Sequence, residues 1–242
     1  MPSAENASER SLKDVHIFSQ IAEDDRQIIE NNCCVFTRYE PGAMIVDVLD
    51  STDDVFFVIS AVVSVTLYSS EGRVISFREM GAGETFGEVA ALDGGPRSAR
   101  VEVMSEGLIA SMTAEEFRTI LQRYPSVALA LLQDLVRTIR DLTTRVYEFS
   151  ALPVAARLQA ELLRLAKLTG QEGQGPDGIA MPTHEKLASR ISTHREAVTR
   201  ELKRLEELGI IERHGRRLVI KDLSQLNAMV DGSAFVDKNK KK

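Results

Sequence analysis

The sequence is poor in cysteine, and the two it has are badly placed for a disulfide. Among 242 residues the only cysteines are Cys33 and Cys34, and a bridge between neighbours in sequence would be strained. Low cysteine content is typical of proteins kept in a reducing compartment. The first ten residues are polar and show no apolar core of a signal peptide. We therefore expect a cytoplasmic protein.

Long apolar runs, metal-binding clusters and catalytic motifs are absent as well. The longest apolar stretches, such as residues 55–65, contain serine and are too short to cross a bilayer. The four histidines form no metal-spaced pair, so no metal site is expected. We find no nucleophile–base arrangement and no Walker-type loop, and therefore expect no catalytic residues and no enzyme activity.

Charge is plentiful but unevenly divided along the chain. Hydrophobic content of 43% and charged content of 27% are ordinary for a globular protein, and the net charge is −6. Residues 1–150 contain 13 Lys and Arg against 24 Asp and Glu, whereas residues 151–242 contain 17 against 12. This asymmetry favours a basic module joined to an acidic one. A chance imbalance, to which the lysines of residues 238–242 contribute, would explain the same numbers.

The N-terminal half is predicted to be mainly β-structure after one short helix. Apolar residues at helical spacing predict an amphipathic helix over residues 14–31. Cys33 and Cys34 are expected to be strand residues. The β-rich runs that follow are separated by turn residues and cover residues 35–39, 43–48, 55–68, 73–79, 101–103 and 108–112. Many short strands at this spacing are typical of a sandwich or a barrel.

Helical periodicity replaces the β-pattern after residue 112. Thr113 and Glu116 predict a capping box, and a long helix is predicted over residues 125–150. Its apolar residues recur in steps of three and four, as in a coiled-coil seam that forms a dimer; they are Leu132, Leu135, Ile139, Leu142, Val146 and Phe149. A helix buried against its own domain is the alternative. Pro153 predicts a break before a helix over residues 154–168, and residues 169–178 are predicted to be a loop.

Residues 183–220 have the pattern of a winged helix-turn-helix. A turn at residues 189–192 separates two predicted helices, and residues 193–196 predict a second capping box. Val198, Leu202 and Leu205 share one face of the second helix, with charged residues opposite. A glycine stop and a hairpin turn at residues 214–216 complete the pattern. The exposed charges suit major-groove recognition; a solvated helix surface would explain the charges, but not the turn, the cap and the wing.

A glycine-flanked segment, FGEVAALDGGPRSA, covers residues 86–99 and suits a phosphate. Backbone N–H groups at a helix start favour an anion, and Arg97 can hold phosphate oxygens bidentately. Glu88 can accept a hydrogen bond from a ribose hydroxyl. Taken separately, Glu88 and Arg97 would more often be a surface ion pair.

This segment, the β-rich region before it, the long helix and the winged helix-turn-helix resemble the Crp/Fnr family of bacterial transcription regulators, from about residue 15 to residue 223. The resemblance implies an α+β protein. Its parts are an antiparallel, jelly-roll-like β-roll that binds a cyclic nucleotide (residues 1–124), a dimerisation helix (125–150), a winged helix-turn-helix DNA-binding domain (151–230) and a disordered basic tail (231–242).

The resemblance implies roles for individual residues of the ligand site. Glu88 would hold the ribose 2′-hydroxyl, Arg97 would bind the cyclic phosphate, and Thr143 would contact the purine, partly across the dimer. Leu142 replaces the first of two hydroxyl residues of the catabolite-activator branch, so cAMP and cGMP both stay open as the allosteric ligand. The implied ligand-binding residues are Gly87, Glu88, Val89, Ala90, Arg97, Ser98, Thr143 and Thr144.

The resemblance also implies how the C-terminal module binds DNA. Arg195, Glu196 and Arg200 match the base-reading pattern of the family, which implies an inverted repeat of TGTGA-like half-sites. Thr183 and His184 would contact phosphates. The implied DNA-binding residues are Thr183, His184, Thr193, His194, Arg195, Glu196, Thr199 and Arg200. A loop around residues 173–178 would contact RNA polymerase.

Other sensing chemistries of the family do not fit this sequence. An iron–sulfur cluster needs four cysteines, and the lone His16 is a poor candidate for a haem ligand, so no prosthetic group is expected. Two departures from the family pattern lie outside the ligand segment: Ala61 stands where a strand glycine is usual, and residues 51–54 replace a usual Gly-Asp.

We therefore expect a cyclic-nucleotide-dependent transcription regulator that binds DNA as a homodimer. The alternative is a cyclic-nucleotide-binding regulatory protein that acts on a protein partner. That alternative would keep Glu88 and Arg97 but has no use for Arg195, Glu196 and Arg200.

Overall fold

The structure, a computed structural model, describes residues 10–48, 50–68, 74–168, 178–215 and 217–236. The chain divides into two compact units, residues 1–138 and 139–242, and the boundary falls inside one long helix. Among the described residues, no helix combines the length and apolar character needed to cross a membrane. The same residues contain no group of three or more His, Cys, Asp or Glu side chains placed to hold a metal ion.

The first unit contains mostly short strands. A 3-10 turn, His16–Phe18, precedes helix α1, Glu23–Cys33. The strands are β1 (Val35–Tyr39), β2 (Met44–Val46), β3 (Val55–Val58), β4 (Val62–Tyr68), β5 (Val74–Met80), β6 (Thr85–Phe86), β7 (Arg100–Ser105) and β8 (Gly107–Met112). The helices that follow α1 are α2 (Glu88–Asp93), α3 (Ala114–Arg123) and the long α4 (Pro125–Ala151).

Two four-stranded antiparallel sheets make up the β-roll, with strand orders β1-β8-β3-β6 and β2-β7-β4-β5. Strand β3 is buried along its whole length, and its side chains alternate between two cores. Phe56 and Val58 pack between the sheets, whereas Val55 and Phe57 pack against the helices. The ring of Phe57 meets Phe18 edge-on at 5.3 Å between centroids. The predicted antiparallel β-roll is therefore confirmed.

The helix predicted over residues 14–31 is wrong at its N-terminal end. The backbone N–H of His16 donates to the Gly83 carbonyl at 2.9 Å, and this long-range bond replaces a helical one. Helix α1 begins only at Glu23, where three acidic residues occupy its first turn and favour the positive helix end. The prediction for the cysteines is also corrected, because Cys33 ends α1 and Cys34 is the residue that follows it.

The run predicted over residues 55–68 is two strands in different sheets, with the chain crossing between them at residues 59–61. The backbone N–H groups of Ile59 and Ser60 both donate to the Leu108 carbonyl at this crossing. Ala61, the departure from the family pattern, lies against Gly107, where an added Cβ would stand 2.5 Å from the Ala61 Cα. Gly107 thus allows the backbone of Ser60 and Ala61 to pass close to it.

The second unit is a small helical domain with a three-stranded sheet. After α4 its elements are α5 (Val154–Leu168), β9 (Ile179–Ala180), α6 (His184–Arg190), α7 (Arg195–Glu207), β10 (Ile211–His214), β11 (Arg217–Ile220) and α8 (Leu223–Val236). The sheet order is β10-β11-β9. Helix α8 runs past residue 230, where the sequence predicts the start of a tail, and residues 237–242 lie outside the described residues.

The helix-turn-helix is present, but its predicted second capping box is wrong. Helix α7 begins after His194, which makes no side-chain cap bond, and the backbone N–H of Thr193 donates to the Ala188 carbonyl at 2.9 Å. The turn itself therefore fixes the helix start. The first capping box, at Thr113 and Glu116, is confirmed. Thr183, by contrast, caps α6 by accepting from the Lys186 N–H.

Candidate functional site

The segment at residues 86–99, which we call the cassette, is shaped by a glycine that no other residue can replace. Gly87 lies between β6 and α2 with φ of 84°, a conformation that strongly favours glycine. A Cβ at this position would lie 2.6 Å from the Asp54 carbonyl oxygen and 2.9 Å from Arg97 Nη1. Gly87 therefore allows the backbone, Asp54 and Arg97 to converge.

Arg97 is buried at the centre of this convergence, with only 3% of its surface exposed. Its Nη1 donates to the carbonyls of Asp54 and Gly87 at 3.0 and 3.3 Å, and its Nη2 donates to Thr52 Oγ1 at 3.1 Å. Burial lowers the pKa of Arg97, against the influence of Asp54 and other nearby carboxylates. No carboxylate among the described residues forms an ion pair with this guanidinium, and its Nε is buried without a hydrogen-bond partner. The site thus keeps a buried positive charge with a free donor.

Glu88 follows directly at the start of α2. Burial raises the pKa of its carboxyl group, while its own backbone N–H, Arg78 and Arg97 act in the opposite direction. The carboxyl group therefore lies near two guanidinium groups, although no direct ion pair joins it to either of them within the described residues. It can accept a hydrogen bond from a ligand hydroxyl without first breaking a salt bridge.

Two neighbours of the cassette were not found from the sequence. Thr52 belongs to the loop before β3 and contacts Arg97. Arg78 lies on β5, forms an ion pair with Glu84, and approaches Thr138 Oγ1 of α4 at 3.5 Å. Thr52 lies 34 residues before the cassette in sequence, whereas Arg78 lies eight residues before it. The folding of the strands brings both side chains close to the cassette, and no sequence motif around Thr52 or Arg78 predicts that contact.

The remaining predicted ligand residues are placed in different ways. Val89 and Ser98 are exposed, and Ala90 is buried. Thr143 and Thr144 are exposed residues of α4 that belong to the second compact unit. Their hydroxyls donate to the carbonyls of Ile139 and Arg140, one helical turn earlier. Both hydroxyls keep their lone pairs available for a further donor.

The two cysteines line surface cavities that are separate from the cassette. Cavities of about 240 and 290 Å³ share Cys33 and Glu116, and neither is lined by Glu88 or Arg97. Both thiols are free. Burial and the neighbouring Cys33 raise the pKa of Cys34 to about 12, so this thiol stays neutral near pH 7 and is a poor nucleophile.

In the second unit, α6 and α7 form the candidate nucleic-acid interface. Helix α7 buries Val198, Leu202 and Leu205 against the domain core. Its opposite face exposes Arg195, Glu196, Thr199, Arg200 and Lys203. The charged side chains of Arg195, Glu196 and Arg200 form no hydrogen bond or ion pair with the residues that the structure describes. These three charged groups are therefore free to bind a partner.

His184 supports this face from α6. Its Nδ1 lies 2.8 Å from Thr199 Oγ1, and the Thr199 hydroxyl donates to the Arg195 carbonyl at 3.0 Å. When the single Thr199 proton goes to the Arg195 carbonyl, His184 Nδ1 is the hydrogen donor to Thr199. Burial lowers the pKa of His184, and the positive charges of Arg213 and Arg195 lower it further. The neutral ring then has only an acceptor at Nε2.

The wing follows α7 and is fixed to it by a charged pair. Strands β10 and β11 pair in antiparallel register from Ile211 with Ile220 to His214 with Arg217. Arg213 donates to both carboxylate oxygens of Glu206 on α7, at 2.6 and 2.5 Å. The predicted hairpin turn is formed at Gly215, with φ of 62°; Arg216 lies outside the described residues.

The long helix α4 carries an uncovered apolar face. Leu135 packs partly against the core of the first unit. The other predicted seam residues are exposed, with fractions of 58% for Leu132, 61% for Ile139, 44% for Leu142, 65% for Val146 and 39% for Phe149. The alternative of a helix buried against its own domain therefore does not describe these positions.

Comparisons with known proteins agree with this architecture. Residues 36–124 match the profile described as a cyclic nucleotide-binding domain, and residues 156–229 match a Crp-like helix-turn-helix domain. The chain is 28% identical over 189 residues to the cAMP-activated global transcriptional regulator CRP of Haemophilus influenzae, covering 77% of this chain and 84% of the relative.

Two solved structures show the same fold. A CooA mutant from Carboxydothermus hydrogenoformans superposes with a TM-score of 0.75 at 22% identity, over 92% of this chain and 98% of that one. A c-di-GMP responsive global regulator, CLP, from Xanthomonas campestris superposes with a TM-score of 0.68 at 22% identity, over 77% and 93%. With a cyclic nucleotide-binding domain followed by a Crp-like helix-turn-helix domain, the chain belongs to the Crp/Fnr family of transcription regulators.

Proposed function

We propose that this regulator binds cAMP or cGMP in its cassette and, in response, binds inverted-repeat DNA as a homodimer. The observation that carries the ligand proposal is the buried guanidinium of Arg97, which has a free Nε donor and no carboxylate partner among the described residues. Nearby carboxylates, Asp54 foremost, act on this charge, but none of the described ones pairs with it directly, and a buried charge left without a direct partner is unfavourable. A cyclic phosphodiester is a singly charged anion and would supply the missing partner.

The residues of the cassette fit such a ligand. Arg97 would bind the phosphate oxygens, and Ser98, which is exposed beside it, would donate its hydroxyl. Glu88 would accept the ribose 2′-hydroxyl, because its carboxylate is near two positive charges and forms no salt bridge with them. Gly87 keeps the backbone close to the phosphate. Val89 and Ala90 complete the wall formed by α2.

Thr143 and Thr144 are proposed to contact the purine. Each hydroxyl already donates to a backbone carbonyl, so each can act only as an acceptor for a ligand donor. An amino group of adenine or of guanine satisfies that requirement. This shared chemistry is why cAMP and cGMP are both retained.

For DNA we propose that Arg195, Glu196 and Arg200 contact base edges, with arginine donating to guanine and glutamate accepting from cytosine. Thr193 and His194 directly precede α7, and Thr183 caps α6. With His184 and Thr199 they would position the backbone of the DNA. Two recognition helices placed one helical turn of DNA apart would match an inverted repeat of TGTGA-like half-sites. The exposed apolar face of α4 would pair the two copies.

Ligand control follows from linkage. A cyclic nucleotide changes DNA affinity only to the extent that it binds the DNA-competent arrangement more tightly. The proposed contact with RNA polymerase falls on residues 173–178, which lie almost entirely outside the described residues, and it remains a prediction.

The test combines calorimetry with DNA binding. We expect cAMP or cGMP to bind the purified protein and to increase its affinity for a duplex with two TGTGA half-sites. Arg97→Leu should weaken nucleotide binding by about 100-fold, because a charged, bidentate contact is lost. The control is Arg38→Leu, which removes an exposed arginine paired with Glu106 and should bind nucleotide normally.

The same measurements distinguish the alternative. Nucleotide binding without any DNA retardation would favour a regulatory protein that acts on a protein partner. Normal nucleotide response in Arg97→Leu would refute the ligand site itself.

A further inference from the structure

The second unit contains a buried cluster of charges at the point where the long helix ends. Glu148 of α4, Glu161 of α5 and Arg190 of α6 are 8%, 2% and 8% exposed. Arg145 of α4 and Arg164 of α5 complete the cluster. Five charges on three helices meet here, although Pro153 interrupts the chain between α4 and α5.

Glu161 is the centre of the cluster. Its carboxylate contacts three guanidinium groups: Arg190 at 3.2 Å, Arg145 at 3.5 Å and Arg164. Arg164 also donates to both oxygens of Glu148, at 2.7 and 2.6 Å. Two separate ion pairs therefore cross the α4–α5 junction, Arg145 with Glu161 and Arg164 with Glu148.

Arg145 has a second contact that reaches the helix-turn-helix directly. Its Nη1 donates to the backbone carbonyl of Arg190 at 3.1 Å, and Arg190 is the last residue of α6 before the turn. Arg157 of α5 donates to the carbonyl of the next residue, Ile191, at 2.9 Å. The carbonyls at the end of α6, which have no partner within the helix, are thus satisfied by arginines from α4 and α5.

A further bond leads from α5 to the recognition helix. Gln159 donates to Glu201 Oε1 at 2.7 Å, and both side chains are buried. Glu201 is also paired with Arg204 on α7. Buried charged groups of this kind add little stability compared with apolar packing, but their bonds are directional and penalise any other arrangement. Their presence indicates that the relative geometry of these four helices is selected.

We propose that Arg145 is a positioning residue that fixes the helix-turn-helix to the last turns of the long helix, so that movement of α4 is transmitted to the recognition helix. The segment of α4 from Ile139 to Ala151 belongs to the same compact unit as the helix-turn-helix. The ligand-dependent part of this inference rests on the proposed function.

The decisive variant is Arg145→Gln. It leaves Glu161 paired with Arg164 and Arg190, so no buried carboxylate loses all its partners and the domain should remain folded. The matched control is Arg140→Gln, which removes an exposed arginine of the same helix that has no partner among the described side chains. Arg145→Lys keeps the charge, but cannot hold the Arg190 carbonyl and Glu161 with one planar group.

Three quantities should be measured: nucleotide affinity, DNA affinity with and without saturating cAMP or cGMP, and hydrogen exchange of the amides in residues 187–195. In Arg145→Gln we expect nucleotide affinity within twofold of the wild type. The ratio of DNA affinities with and without nucleotide should fall at least tenfold, and exchange at the turn should rise at least tenfold. Arg145→Lys should be intermediate, and Arg140→Gln should match the wild type in all three.

A wild-type affinity ratio together with wild-type exchange in Arg145→Gln would overturn the proposal. So would an equal loss in Arg140→Gln, since that would be an effect of charge rather than of position. If nucleotide does not change DNA affinity even in the wild type, the proposed ligand control fails, and the exchange measurement alone decides whether Arg145 fixes the turn.

Discussion

The cassette contains a partly buried carboxyl group, Glu88, that is suited to a ligand and unfavourable for folding. Burial raises its pKa, so the protonated carboxyl group favours the folded over the unfolded state, and this contribution to stability is complete only below the ordinary pKa of a carboxyl group. That advantage is lost as the pH rises through the raised pKa. At neutral pH the ionised carboxylate therefore destabilises the protein. This is a common trade between stability and function at binding sites.

Glu88→Gln should for this reason stabilise the protein and weaken ligand binding. We expect the Tm without nucleotide to rise by about 2 °C more at pH 8 than at pH 5, because glutamine has no charge to bury. Nucleotide affinity should fall at least tenfold, since a charged acceptor is lost. Glu40→Gln, in an exposed turn, is the control and should change neither. Scanning calorimetry at both pH values checks this, and a lower Tm for Glu88→Gln at pH 8 would contradict it.

His184 makes a second prediction that depends on pH. Its lowered pKa favours the neutral ring, and in the tautomer in which Nδ1–H donates to Thr199, Nε2 has no hydrogen for a phosphate. Protonation at lower pH supplies both a donor and a positive charge. DNA binding should thus be accompanied by proton uptake. A plot of log K against log salt should become steeper between pH 8 and pH 6, by at most about 0.9 per half-site, the value for one fully protonated contact.

His194 and His214 also belong to this module, so the change must be measured against a variant of His184 alone. In His184→Gln the difference between the two slopes should shrink by that amount. His16→Gln, in the first unit, should behave as the wild type. Equal slopes at both pH values in the wild type would show that His184 makes no charged phosphate contact.

At the scale of helices and strands, the sequence predicts best where a single long period dominates. Helices α4 and α7 were predicted closely because their apolar residues recur over several turns and are bounded by Pro125 and Gly209. The helix over residues 14–31 failed at its start because a bond to Gly83, far along the chain, decided the backbone there. Strand β9 has two residues, too few for any pattern. Local periodicity thus predicts elements, but not the long-range bonds that interrupt them.

The candidate site follows the same rule. The cassette was found because glycines, a carboxylate and an arginine lie within one segment of residues 86–99. Thr52 and Arg78 were missed because they reach it only through the sheets. The charge cluster around Glu161 was missed because its members come from three helices. What the sequence could not supply is the pairing of distant elements.

On the scale of the whole molecule, the distribution of charge predicts a low affinity of a single copy for DNA. Residues 1–150 have 24 acidic residues against 13 Lys and Arg, a net charge of −11. Residues 151–242 have 17 Lys and Arg against 12 acidic residues, a net charge of +5. Affinity for DNA rises with the number of phosphates neutralised, and a second copy doubles that number. We propose that two copies pair through the uncovered face of α4, since large exposed apolar faces mark interaction sites.

Ile139→Glu should therefore convert the protein to a monomer, because it places a charge on a residue that is 61% exposed on this face. Val35→Glu is the matched control, because Val35 is 65% exposed on β1 and should leave the dimer intact. Sedimentation equilibrium checks the mass, and the Tm of the wild type, unlike that of Ile139→Glu, should rise with protein concentration. The monomer should bind a single half-site as the wild type does but lose about 100-fold or more on the inverted repeat, since linked sites gain that much from effective concentration. A variant that stays dimeric, or a wild type that is monomeric, would place the pairing surface elsewhere.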